Sequence, residues 1–353
     1  MAVDKRLEEL LDFVVAQGGS DLHLYAGGSP MLRVSGALVP MHKHPALTAA
    51  DTEAMFKSIM PQDRLDAFKS ERSIDLSYSH KETERFRVNG YYVQGTTALA
   101  FRLVPSAIST FTELNLPSVL EVFTQREQGF FLVVGPVGQG KSTTLATMID
   151  RINDSRAEHI LTIEDPVEYL FTPKRSLIHQ REVHIDTPDF HTALQAAFRE
   201  DVDIIMVGEM RDYETISAAV TAAETGHLVL STLHTNNAAQ TIDRIIDMFP
   251  AEQQSQVRVQ LAGSLACIFS QRLVPRISGG LIPAYELLIN NNAVSTLIRE
   301  ARTHEIGTVI QTSSQEGMID MDRSLAELVR RGEVTVEHAF EYSMDPKTFE
   351  HYL

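Results

Sequence analysis

A single cysteine in 353 residues excludes an intrachain disulfide and any cysteine-based zinc module. That residue, Cys267, sits in the apolar stretch Leu265 to Phe269 and reads as a core thiol. Basic residues are also scarce: 31 Lys and Arg stand against 47 Asp and Glu, a formal net charge of -16. So acidic a chain argues against broad, sequence-independent nucleic-acid binding, which needs a basic surface, although a local basic groove stays compatible with it. No apolar run approaches the length needed to span a bilayer. The N-terminus, MAVDKRLEELL, lacks the basic-then-apolar pattern of a signal peptide. The expectation is a cytoplasmic protein without direct membrane insertion. Tandem repeats and low-complexity tracts are absent. What remains is ordinary for a globular protein, with 43% hydrophobic and 22% charged residues, and the length suggests two domains.

The most informative stretch runs from Gly135 to Thr144, GPVGQGKSTT. It fits the phosphate-loop pattern: Gly135, four residues, Gly140, Lys141, Ser142. Glycines let the backbone turn its N–H groups inward on a phosphate chain. Lys141 would then reach the β- and γ-phosphates, and the Ser142 hydroxyl would hold Mg²⁺. The flanks agree. Phe130 to Val134 is an apolar run of strand length, and Lys141 to Asn153 puts Leu145, Met148, Ile149 and Ile152 on one helical face. That order places a phosphate at the positive end of a helix. A nucleoside triphosphate with Mg²⁺ is the expected ligand, gripped by Gly135, Gly138, Gln139, Gly140, Lys141, Ser142 and Thr143.

Ahead of this motif the chain reads as a small α+β domain over residues 1–105. Helices are expected over Lys5 to Ala16 and Thr48 to Met60, a strand over Asp21 to Tyr25, and a hairpin over Met31 to Pro40 turning at Ser35-Gly36. In the strand candidates Arg85 to Val88 and Ala98 to Val104, the arginines Arg85, Arg87 and Arg102 lie opposite the apolar side chains. Paired, these strands would gather three arginines on one outer face, which on a charged strand is often simply solvated. Residues 106–117, within Pro105 to Pro117 and its two prolines, read as an interdomain linker.

From 118 to 353 the pattern alternates. Strands are expected at 130–134, 160–163, 204–207 and 228–232, and helices at 141–153, 190–200 and 212–225. Alternation of this kind builds a mostly parallel α/β sheet that binds ligands at the C-terminal ends of its strands. Each strand there delivers chemistry: Glu164 and Asp165 after the second, Glu209 after the third, His234 after the fourth. Carboxylates so placed would hold Mg²⁺ through water and orient or deprotonate an attacking water. Singly, each is as well explained as a helix cap or a structural histidine. His227 and His234 lack a third His or Cys at a zinc-site spacing. Beyond them, helices are expected over Asp243 to Phe249 and, as one long element, Glu252 to Phe269. Gly279-Gly280 marks a hairpin, and further helices are expected over Val294 to Arg302, 325–332 and 336–342.

These motifs resemble the PilT-type retraction ATPases of type IV pili, within the secretion-ATPase superfamily of P-loop NTPases. GPVGQGKSTT looks like the family's Walker A box, LTIEDPVEY (161–169) its Asp box, FREDVDIIMVGEMRD (198–212) its Walker B box and ETGHLVLSTLHTN (224–236) its His box. AVSTLIRE (293–300) is similar to its C-terminal retraction motif, and QREV (180–183) and SDLHL (20–24) match too. The resemblance implies a RecA-like ATPase domain behind a PAS-like domain, with ATP as the nucleotide. It makes Glu164 the catalytic glutamate and Glu209 the Walker B glutamate, with Gly208 where many such enzymes have Asp. Both would act towards Mg²⁺. His234, with His227, would contact the γ-phosphate, and Arg85, Arg87 or Arg102 would reach a neighbouring subunit's nucleotide. It implies a homohexamer that drives pilus retraction and twitching motility from the cytoplasmic face of the inner membrane. Its partners would be the pilus platform protein and other pilus ATPases. The chain departs from the pattern at Val137, Gln139, Val202, Val294, Ser295 and Thr296, and the last three bear on retraction more than on hydrolysis. Assembly and secretion ATPases of the superfamily commonly carry a four-cysteine module and a longer N-terminal extension, and neither is expected here. A nucleotide-binding accessory paralogue that hydrolyses poorly is the other alternative, and Glu164, Glu209 and His234 speak against it.

Overall fold

A computed structural model describes residues 3–34, 36–81, 84–104 and 107–353. The chain divides into two units, Met1–Ala107 with Pro166–Leu170, and Ile108–Asp165 with Phe171–Leu353. The short excursion of residues 166–170 into the first unit has no signal in the sequence. Pro105 and Ser106 of the expected linker lie outside the described residues. Its remainder is packed rather than extended: Phe111 and Leu116 are buried, and Ser109 O accepts from the Thr147 hydroxyl at 2.8 Å.

The first unit opens with α1 (Lys5–Ala16), whose Leu7, Leu10, Leu11 and Val14 form one buried stripe. Strands β1 (Asp21–Leu24), β2 (Met31–Val34) and β3 (Ala37–Pro40) follow, then α2 (Ala49–Ile59) and α3 (Leu65–Glu71). The α2 N-terminus is fixed by a capping box in which Thr48 and Asp51 exchange hydrogen bonds. Strands β4 (Ser73–His80), β5 (Glu84–Val93) and β6 (Thr96–Val104) complete an antiparallel sheet of order β3-β2-β1-β6-β5-β4. Ser35, half of the expected hairpin turn, lies outside the described residues; Val34 pairs with Ala37 across it. The core of this unit joins the α1 stripe to Phe56, Phe86 and Phe101. Helix α3 and strand β4 were not expected, because each is short or only alternately buried.

The second unit holds α4 (Val119–Phe123), β7 (Gly129–Val134), α5 (Lys141–Ser155), β8 (His159–Glu164), β9 (Leu177–Glu182), α6 (Phe190–Ala197), β10 (Ile204–Val207), α7 (Tyr213–Glu224), β11 (Leu228–Leu233), α8 (Ala238–Asp247) and α9 (Ala251–Ser264). It continues with β12 (Leu265–Pro275), β13 (Leu281–Ile289) and helices α10 (Asn292–Arg299), α11 (Ile306–Thr312), α12 (Met321–Arg330), α13 (Val336–Tyr342) and α14 (Pro346–Tyr352). The sheet order is β13-β12-β7-β11-β10-β8-β9, parallel throughout except for β13. Central strands buried on both faces favour apolar runs, and β7 and β10 are such runs, while β11 is apolar at Leu228–Leu230 and buries Ser231 and Thr232, whose hydroxyls bond to Val207 O and Gly208 O. Phe130, Leu132 and Val134 of β7 enter the core shared with α6 to α10, while Phe131 turns the other way to meet Phe123 of α4. The two faces of this α/β sheet are thus both covered.

One expected helix is corrected. Glu252 to Phe269 is not continuous: α9 ends at Ser264, where Leu265 takes extended angles, and Leu265–Pro275 is strand. The four-residue spacing of Val257, Leu261 and Leu265 carries on past the break, so periodicity could not locate it.

Candidate active site at the strand ends

The register places the C-terminal ends of β7, β11, β10 and β8 side by side. Beyond β7 the chain turns through Gly135, Gly138 and Gly140 at φ of 150°, 77° and 78°. A side chain is strained at such angles, and at Gly135 a Cβ would also stand 2.5 Å from Gln271 O. At Gly138 it would meet nothing within 4 Å, so the loop's crest is open. Helix α5 begins at Lys141, which leaves its first N–H groups without intrahelical partners. The Lys141 side chain is buried and folds back over the loop, donating to Gly135 O at 2.9 Å and Pro136 O at 2.8 Å. Ser142 is exposed in the first turn, next to Thr143.

A continuous polar chain starts from that lysine. Lys141 Nζ lies 3.2 Å from His234 Nδ1, and His234 Nε2 lies 3.6 Å from Glu209 Oε2. Glu209 in turn forms an ion pair with Arg211. His234 leaves the end of β11 and Glu209 follows Gly208 at the end of β10. Gly208 links these strand ends through its N–H, which donates to Ile163 O at 2.9 Å. Glu164 ends β8 and is buried. Its Oε1 accepts from the Thr162 hydroxyl at 2.7 Å and from Gln180 Nε2 at 3.3 Å, which fixes the carboxylate. A cavity of about 430 Å³ adjoins these ends, lined by Asp165, His184, His191, Arg211, Asp212 and Glu214.

The structure therefore places Gly135, Gly138, Gln139, Gly140, Lys141, Ser142, Thr143, Glu164, Glu209 and His234 along the C-terminal edge of the sheet. His227 is not among them, which corrects the expectation. It precedes β11, so a strand of about 20 Å separates it from His234. There it packs edge-on against Phe198 and bonds to Ala222 O at 3.0 Å, as a structural histidine does. The strand expected at 228–232 already puts His227 ahead of it and His234 beyond it; only the resemblance grouped the two.

The three arginines lie in the first unit. Arg87 pairs directly with Arg102, and Arg85 stands two residues along β5, so all three share one sheet face. Arg102 Nε donates to Asp21 Oδ1 at 2.9 Å, and its side chain is 71% exposed. Arg85 donates to Ser77 Oγ at 2.6 Å and Val167 O at 3.4 Å, and Arg87 pairs with Glu168 at 3.4 Å. Val167 and Glu168 belong to the stretch that this unit borrows from the Asp box. Gln271 and Arg272, beside the loop, had no sequence signal because they fit no motif.

The donor set fits a polyphosphate: an ammonium and the backbone N–H groups of a helix N-terminus, around an open glycine crest. Among the described residues no three His, Cys, Asp or Glu side chains are grouped to hold a metal ion on their own. Ser142, Glu164 and Glu209 carry the hard oxygen donors that Mg²⁺ would take, alongside phosphate oxygens and water. No helix among the described residues is long and apolar enough to cross a membrane.

A phosphate loop leading into the first helix of a parallel sheet, with acidic strand ends beside it, defines a P-loop nucleoside triphosphatase. Residues 2–340 match the family described as type II/IV secretion system protein. The chain is 44% identical to the type IV pilus retractation ATPase PilT of Pseudomonas aeruginosa, over 97% of this chain and 99% of that one. It is 45% identical to a twitching motility protein of Neisseria gonorrhoeae, covering 88% and 83%. A crystal structure of the pilus retraction motor PilT with bound ADP superposes with a TM-score of 0.90 at 44% identity, covering 98% of both chains. The Legionella pneumophila ATPase DotB, at 24% identity and a TM-score of 0.85, shares the fold. The chain belongs to the type II/IV secretion ATPase family, is of its PilT type, and is an ATPase that binds adenine nucleotide.

Proposed function

We propose that the chain is the motor for type IV pilus retraction and twitching motility, working as a homohexamer at the cytoplasmic face of the inner membrane. The observation that carries this reading is full-length likeness to PilT joined to an intact constellation of Lys141, His234, Glu209 and Glu164. ATP is the substrate. Backbone N–H groups from Gly138 to Thr143 receive its phosphates, and Lys141 exchanges its carbonyl contacts for β- and γ-phosphate oxygens. Ser142 would hold Mg²⁺, with Glu209 and Glu164 reaching it through water, and the ion would neutralise charge on the phosphates. Glu164, held by Thr162 and Gln180, orients or deprotonates the attacking water. His234 bridges Glu209 and the terminal phosphate, so its contacts differ before and after hydrolysis. Arg85, Arg87 or Arg102 completes the nucleotide site of a neighbouring copy. Loss of the γ-phosphate contacts then lets the two units of a subunit re-orient, and the pilus platform protein receives the motion. Other pilus ATPases are further partners.

Deleting the gene and counting surface pili tests the direction of work. Excess pili that do not retract, uncorrected by a Lys141→Ala copy, are expected. Loss of pili would instead mark an assembly motor.

A further inference from the structure

Strand β12 lies beside β7, with Ser270 level with Val134, so residues 271–273 run alongside the phosphate loop. Successive side chains on a strand point to opposite faces. Here the alternation separates two loops of the site. Towards one face, the buried Gln271 amide donates to Gln139 O at 2.7 Å and accepts from the Thr144 hydroxyl of α5 at 2.8 Å. Gln139 answers with its own side chain, accepting from Leu273 N at 2.6 Å. Towards the other face, the Ser270 hydroxyl donates to Asn236 O at 2.8 Å, and Arg272 Nη2 donates to Asn236 Oδ1 at 2.9 Å. Asn236 is two residues beyond His234. The buried Arg272 also donates to Gln271 O at 3.1 Å, the carbonyl against which Gly135 packs.

We infer that Gln271 and Arg272 are positioning residues for ATP turnover, Gln271 holding the phosphate loop and Arg272 holding the loop that carries His234. The inference rests on the reading of Lys141 and His234 given above. The phosphate loop receives nucleotide in both ground and transition states, so loosening it weakens binding. The His234 loop acts on the terminal phosphate as it departs, so loosening it slows turnover. Two neighbours on one strand thus carry separable halves of the kinetics.

The test uses the full chain with a fluorescent ATP analogue, steady-state hydrolysis and thermal melting on the same preparations. Gln271→Ala is expected to raise KM and Kd about tenfold, with kcat within about twofold. Arg272→Ala is expected to lower kcat about tenfold, with Kd within about twofold. Arg272→Lys should recover part of the rate, since an ammonium can still reach one Asn236 oxygen but cannot fork. If Gln271→Ala fails to fold, Gln271→Glu keeps the volume and the acceptor for Thr144 while setting a carboxylate oxygen against Gln139 O. Its KM excess should shrink as the pH is lowered and that group protonates. The inference is overturned if wild type binds and hydrolyses ATP while both variants shift KM and kcat alike, or neither shifts either. A wild type that binds no ATP would instead overturn the reading of the site on which it rests.

Discussion

Glu286 shows how far a single side chain can be pushed by its surroundings. It stands opposite Ser270 across the β12–β13 pair, and its Oε1 accepts from Ala238 N at 2.7 Å, capping α8 just after the His234 loop. Burial raises its carboxyl to about 7, with Asp320 and Asp322 adding to the rise and the Ala238 N–H and Arg272 opposing it. The folded chain therefore keeps this proton up to about pH 7, whereas an unfolded glutamate releases it near 4.3. Across that window folding takes up a proton, so Glu286 contributes stability at low pH that is lost as the pH rises through 7. Glu286→Gln keeps the acceptor for Ala238 and removes the titration. Its Tm minus that of wild type should climb between about pH 4.5 and 7 and level off above. A difference independent of pH would mean that the carboxyl is not perturbed. Nothing in the sequence marks this residue, since its environment is assembled from β12, β13, α8 and α12. Lys141, Ser142, Glu164, Glu209 and His234 were legible because each follows directly on a strand or glycine turn that the sequence itself declares.

Legibility changes at the level of elements. Strands β7, β8, β10 and β11 could be read because burial on both faces favours short apolar runs, which the helices between them interrupt. Edge strand β9 buries only Ile178 and Glu182 outright, so it gave no pattern. The first part of β12, Leu265 to Phe269, reads as helix because Leu265 and Ile268 continue the spacing of Val257 and Leu261. What decides for the strand is pairing with β7 and β13, which is long-range and invisible locally. Cys267 reports on that pairing. It is level with Phe131 and Ile289, wholly buried, and burial pushes its thiol well above the usual cysteine range. A thiol reagent at pH 8 should therefore leave the native protein unmodified and react fully only on denaturation. Stoichiometric labelling of native protein within minutes would contradict a strand packed between two neighbours.

For the whole molecule, the acidic balance was readable from composition, whereas the chain passes from the first unit to the second at Ala107, ahead of the change of pattern near residue 118. The passage of residues 166–170 through the first unit was not readable, because only tertiary packing puts Val167 against Arg85 and Glu168 against Arg87. Action of an arginine in a neighbouring subunit makes a prediction that a single chain cannot satisfy. Arg102→Ala, which removes an exposed guanidinium from the buried Asp21 carboxylate, should lower turnover while ATP still binds. Mixing Arg102→Ala with Lys141→Ala subunits should restore part of the rate, since each then supplies what the other lacks. Mixtures no faster than the sum of the separate variants would place the arginine's effect within its own subunit.

The account stands most directly on phosphate release by wild type and by Glu209→Gln, measured beside affinity for a fluorescent ATP analogue with Mg²⁺. Removing the charge between His234 and Arg211 should cut turnover about a hundredfold or more and leave nucleotide affinity nearly unchanged. Equal turnover in the two proteins, or no nucleotide bound by wild type, would contradict it.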